Sequence, residues 1–124
     1  MTVAGTGKLG PILVDESGRT VYLFEKDDGN KSTCYAECAS AWPPVTGGAK
    51  PKAGGQARGS LLGTTTRHDG TMQVTYHNHP LYYYAPDDHQ QGSTKGQDIT
   101  QFGASWYALS PKGMKVENNQ GGGS

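Results

Sequence analysis

Few side chains in this chain have the types and spacing to do chemistry: Cys34 and Cys38, the histidines His77, His79 and His89, and the acidic stretch Asp27-Asp28-Gly29-Asn30. Cys34 and Cys38 are the only cysteines. On a helix they would lie one turn apart on a single face, with Cα atoms near the upper end of what a disulfide spans. A structural bridge is expected, with reduced thiols or a metal as the alternatives. So short a closure gains little loop entropy and would act by pinning the helix locally. The pair is not Cys-x-x-Cys, and Ala39 stands where covalent haem attachment needs His, so neither redox motif is present.

His77-x-His79 would share a face on a continuous strand, the geometry of a copper or zinc clip, and His89 beside Asp88 could complete it. The plainer reading is a surface turn, in which His77 points off the strand. A closed zinc site on the cysteines would need two nearby histidines, yet His68, His77, His79 and His89 all lie in the other half of the chain. Asp27-Asp28-Gly29-Asn30 lacks the alternating acidic spacing and distal Glu of a calcium loop and reads instead as a turn cap, repeated at Asp87. Ser105 and Cys34 lack the context of a catalytic nucleophile, and no glycine-rich phosphate loop opens a helix. The expectation is therefore no enzyme, no cofactor and no resident metal.

The elements that position these residues come in two copies. Sliding the sequence by 60 positions matches Val14 with Val74, Val21 with Leu81, Tyr22 with Tyr82, Phe24 with Tyr84 and Asp27-Asp28 with Asp87-Asp88. The shared pattern is Tyr-x-aromatic-x-x-Asp. Trp42 and Trp106 follow the motif tyrosines at spacings of 20 and 24, so the register drifts in a loop, where insertions cost little. Gly18 and Arg19 stand where the second copy has Asn78 and His79, so the scaffold does not need the histidine pair.

Each copy predicts a β-hairpin about a two-residue turn, Ser17-Gly18 or His77-Asn78. Counting outward sets Val14 opposite Val21 and Ile12 opposite Leu23, and in the second copy Val74 opposite Leu81 and Met72 opposite Tyr83. Asp69-Gly70 marks another turn, which makes 61–67, 71–76 and 79–85 a meander, and a last hairpin turns through Pro111-Lys112-Gly113. Ser32-Thr33 should cap one short helix around residues 33–41, stopped by Pro43-Pro44, and 96–102 could hold one helical turn.

With 33% hydrophobic residues and 19 glycines in 124, the composition favours short strands and many turns. Aliphatic residues are few, so Tyr22, Phe24, Trp42, Tyr82, Tyr84 and Trp106 should supply the core, the alternative being an exposed platform for sugars. The predicted fold is mainly β, antiparallel hairpins and a meander from two pseudo-repeats. Residues 1–8 are expected as a flexible segment, 9–117 as one β domain (repeats at about 10–45 and 61–117 around a glycine-rich connection, 46–60), and 118–124 as a flexible tail or linker. Eleven basic residues balance eleven acidic ones without a basic run, which argues against nucleic acid, and no apolar stretch approaches the roughly 20 residues of a membrane span.

Tyr22-Leu23-Phe24-Glu25-Lys26-Asp27 and Tyr82-Tyr83-Tyr84-Ala85-Pro86-Asp87, with Ser32-Thr33-Cys34-Tyr35-Ala36-Glu37-Cys38, Ala41-Trp42-Pro43-Pro44 and His79-Pro80-Leu81-Tyr82, resemble the bacterial secreted-repeat lipoproteins that carry this motif. The resemblance runs from about Gly10 to Gly113. It implies an exported protein, secreted or lipid-anchored at the cell envelope, rather than a reaction. The expected role is a non-catalytic, monomeric envelope module that meets an unknown surface protein or glycan and touches membrane only through a lipid anchor lost from this form. Alternatives are a copper, zinc or haem/redox accessory and a carbohydrate-binding module.

Overall fold

Three hairpin loops of one build recur along the chain. The Asp15 amide donates to the Arg19 carbonyl (2.9 Å), and the Gly18 amide to that of Asp15 (3.0 Å), with Gly18 at φ +84°. The same pattern spans Arg67 to Thr71 around Gly70 and Ser110 to Met114 around Gly113. Each is a three-residue loop closed by a left-handed residue, which glycine occupies without steric cost. In the first, Asp15 Oδ1 also accepts the amides of Ser17 and Arg19.

The computed structural model describes residues 1–5, 9–46, 57–88 and 90–116. Its strands are β1 (Thr2–Gly5), β2 (Pro11–Val14), β3 (Tyr22–Phe24), β4 (Leu62–Thr66), β5 (Met72–Tyr76), β6 (His79–Pro80), β7 (Ile99–Gln101) and β8 (Ala104–Ala108), with one helix, α1 (Glu37–Ala41), after β3. They form three antiparallel sheets, ordered β1-β2, β3-β8-β7 and β4-β5-β6. The architecture is mainly β, as expected. Residues 47–56 of the glycine-rich connection, His89 and the tail from 117 lie outside the described residues.

The second hairpin turns through His77-Asn78 as predicted. Both have positive φ (53° and 65°), which a two-residue turn of this kind demands, and Thr75 pairs with Pro80 and Tyr76 with His79. The first hairpin differs by one residue: Val14 bridges Thr20, not Val21, because its loop holds Glu16 as well as Ser17 and Gly18. A one-residue slip exchanges faces. Leu13 thus joins Val21 and Leu23 in the aliphatic core, while Ile12 and Val14 turn to the aromatic one.

Three further expectations are corrected. Thr2–Gly5, placed in a flexible segment, is an edge strand in register with Pro11–Val14. Sixty positions on lies β4, so β1 is its counterpart in the first repeat. The helix begins at Glu37, after Cys34 and without a Ser32 or Thr33 cap, because Thr33 gives both its amide and its hydroxyl to Asp27 (2.8 Å each). The span 96–102 holds β7 rather than a helical turn, since Gly103 closes a tight hairpin that returns it along β8.

The copies are interleaved rather than merely adjacent. Tyr22 and Tyr82 exchange backbone hydrogen bonds (2.8 and 3.0 Å) about a local pseudo-twofold axis. Beyond each tryptophan, the chain crosses into the other copy. Val45 donates to Leu81 (2.9 Å) and accepts from Val74 (2.7 Å), and Leu109 accepts from Leu13 (2.8 Å). Leu13, Val21, Leu109, Val74, Leu81 and Val45 accordingly form one aliphatic cluster drawn from both repeats.

Candidate functional site

The eight motif residues singled out by sequence converge at the pseudo-twofold axis. Phe24 stacks on Trp106 (centroids 3.9 Å, 8°), Trp106 on Trp42 (3.9 Å, 6°), and Trp42 on Tyr84 (4.1 Å, 29°). The order is palindromic, since Phe24 corresponds to Tyr84 and Trp106 to Trp42. Tyr22 meets Trp42 edge-on (5.5 Å), and Tyr82 meets Trp106 likewise (5.1 Å), the arrangement that ring quadrupoles favour. Tyr22, Tyr82, Trp42 and Trp106 are fully buried. Phe24 is buried with them, and Tyr84, half-buried, packs against the cluster they form.

The motif carboxylates cross the axis too. The Tyr22 hydroxyl donates to Asp87 Oδ2 (2.6 Å), and the Tyr82 hydroxyl to Asp27 Oδ2 (2.7 Å). The other oxygens are occupied alike: Asp27 Oδ1 accepts from Thr33, and Asp87 Oδ1 from the Ser93 hydroxyl (2.8 Å) and the Lys95 amide (2.9 Å). Both aspartates were expected to cap their own turns. Each also ties its copy to the other, because the pairing of Tyr22 with Tyr82 brings each carboxylate within reach of the other copy's tyrosine hydroxyl. Thr33 and Ser93, sixty positions apart, were legible in the repeat register and are part of the same device.

Burial pushes both phenols far above the ordinary tyrosine range, helped by the hydrogen bond to Asp87 for Tyr22 and by the charge of Asp27 for Tyr82. Burial also raises the Asp27 carboxyl, against the pull of Tyr82 and Thr33. A relay not foreseen from sequence leads there. Buried Arg67 donates to the Ser32 hydroxyl and Gln73 (2.9 Å each) and to the Cys34 carbonyl (2.7 Å), and Ser32 in turn contacts the Tyr82 hydroxyl. Because Tyr82 spends its proton on Asp27, Ser32 is the donor to Tyr82. Arg67 lies beside a turn signal in a polar stretch, so nothing in the sequence marked it as buried.

Cys34 and Cys38 are disulfide-bonded, with Cα atoms 5.2 Å apart. The histidines stand elsewhere. His77 and His79 face an open cleft of about 400 Å³ lined also by Phe24, Glu25, Met114 and Lys115, with their ring centroids 6.0 Å apart. Among the described residues, no three His, Cys, Asp or Glu side chains stand close enough to hold a metal ion.

A family model described as a secreted repeat of unknown function matches residues 3–46 and 63–110. The chain belongs to this secreted-repeat family. The two matches coincide with the two interleaved copies, so one family repeat is the strand–hairpin–motif unit that ends in the crossing segment after its tryptophan. The first match takes in most of β1, in keeping with that strand's place in the repeat. No curated protein and no solved structure matches the chain.

The crossed pairs of this secreted repeat give a quantitative test. Asp87 is 1% exposed. Tyr22→Phe and Asp87→Asn should each cost about 1.5–3 kcal/mol, the range for a hydrogen bond to a charged group. Together they should cost less than their sum by about 1 kcal/mol or more, since both remove the same bond. Urea unfolding of the four proteins measures this coupling, and additive losses would mean that the pair does not join the copies.

Proposed function

We propose that this secreted-repeat chain is a non-catalytic, monomeric module of the cell exterior that meets a surface partner, protein or glycan, with a lipid anchor as its tie to the envelope. One observation supports it best: the polar groups of the recurrent motif are spent on one another across the two copies, with Tyr22 on Asp87 and Tyr82 on Asp27. A motif used to join repeats does not keep its own tyrosines and aspartates free to serve as base or nucleophile. An aromatic sugar platform gains less support, because the rings it would need are buried. Assay of the purified protein across a broad panel of hydrolase and oxidoreductase substrates should give no turnover above a heat-unfolded control. Turnover that a single point substitution abolishes would end this reading.

A further inference from the structure

We propose that His77, His79 and Met114 form a binding site for monovalent copper. This goes beyond the module reading, which would survive its failure: an exterior module that binds no copper is still an exterior module.

The three side chains line one cleft. His77 occupies the left-handed turn and His79 the short strand that follows, so their rings stand on the same side with centroids 6.0 Å apart. An imidazole nitrogen bound at about 2.0 Å places its ring centroid roughly 3.2 Å from the metal, so two rings sharing one ion stand up to about 6.4 Å apart. The observed separation falls within that span.

The third donor arrives by a close approach of the last hairpin. Gly113, at φ +83°, lies against His77, and a Cβ there would meet the His77 Cβ at 2.2 Å. Only glycine lets this loop reach the ring. The Gly113 carbonyl faces His77 Nδ1 at 3.3 Å. A carbonyl can only accept, so Nδ1 carries the proton, which leaves Nε2 with its lone pair when the ring is neutral. A backbone carbonyl that fixes a histidine in this way is the usual outer support of a metal-bound imidazole. Met114, next in the chain, is 58% exposed on the cleft, a large apolar side chain left to solvent.

The chemistry of what remains available selects the ion. Glu25 pairs with Lys115 through Oε2 at 2.8 Å, both Asp27 oxygens are occupied by Tyr82 and Thr33, and among the described residues no carboxylate stands with the two histidines closely enough to share an ion. The donors the cleft brings together are thus two imidazoles and a thioether, a partly soft set. Thioethers favour monovalent copper, whereas zinc takes thiolate, imidazole or carboxylate and divalent copper takes nitrogen and oxygen.

Anaerobic titration of the purified protein with copper(I), against a chromogenic copper(I) chelator, should show one ion per chain, with sulfur in its coordination shell by X-ray absorption. Met114→Leu should weaken copper(I) by about tenfold or more, at least the loss that an outer-shell partner alone causes. The same change should leave zinc binding and the circular dichroism unchanged, because Met114 is exposed. His79→Gln should weaken both metals. Absence of stoichiometric copper(I) binding, a copper(I) affinity indifferent to Met114→Leu, or a shell without sulfur would each overturn the proposal.

Discussion

Trp106→Ala should cost the domain about 3–5 kcal/mol, the range for deleting a large buried aromatic. Trp106 is fully buried on β8, which pairs with both β3 and β7, and it is an inner ring of the four-ring stack. Its loss uncovers a face of Phe24 and a face of Trp42 at once, and it removes the donor to the Gln101 carbonyl (3.1 Å). The void lies where the repeats meet, so neither repeat can close it without drawing away from the other. Domains of this size are stable by only about 5–15 kcal/mol, so the variant should be visibly less folded at ambient temperature. Trp106→Phe, which keeps a ring in the stack, should cost distinctly less. Trp42→Ala should resemble Trp106→Ala, and the double variant should depart from additivity because the two rings touch. Guanidinium unfolding decides the matter: a loss below about 1 kcal/mol for Trp106→Ala would remove the stack from the account of what holds the repeats together.

What the sequence made legible was the repeat and the inward direction of its rings. Both follow from a residue-by-residue match and from an apolar content too low to fill a core without aromatics. The His77-Asn78 turn was legible because apolar and β-branched residues alternate on either side of it. The first hairpin was not, since Glu16-Ser17-Gly18 and Ser17-Gly18 offer the same glycine at the same place. Only pairing with the rest of the sheet selects the longer loop. The small residues and glycines of the first segment hid β1, although the register that matched Tyr22 with Tyr82 also set Thr2–Gly5 against Leu62–Thr65. The helix start was lost to a local rule that tertiary structure overrode: Thr33 is a good cap, but Asp27 claims its donors. The crossed Tyr–Asp pairs lay beyond local reading altogether. Each aspartate looks sufficient to cap its own turn, and its partner is 55 or 65 residues away.

Those pairs carry the second large effect, which appears in alkali. A free tyrosine ionises near pH 10. In the fold, Tyr22 and Tyr82 hold their protons well beyond that, because burial opposes the phenolate and each hydroxyl already donates to a carboxylate. A raised folded pKa means that the contribution to stability is fully present below pH 10 and falls as the pH climbs, since only the unfolded chain can shed these protons. Each such phenol removes about 1.4 kcal/mol per pH unit above that point, so the two together remove roughly 2.7 kcal/mol per unit. Tyr83, raised by burial and by its hydrogen bond to Asp15 (2.8 Å), adds to the slope. The domain should therefore keep its circular dichroism through pH 10 and then lose it in one cooperative step, with late phenolate absorbance at 295 nm rising in the same step. Tyr22→Phe should start less stable yet lose stability about 1.4 kcal/mol per unit less steeply, which separates this linkage from general alkaline damage. If all the phenolate absorbance instead develops smoothly around pH 10 while the fold persists, the tyrosines are reaching water, and the crossed pairs do not bind the copies in solution.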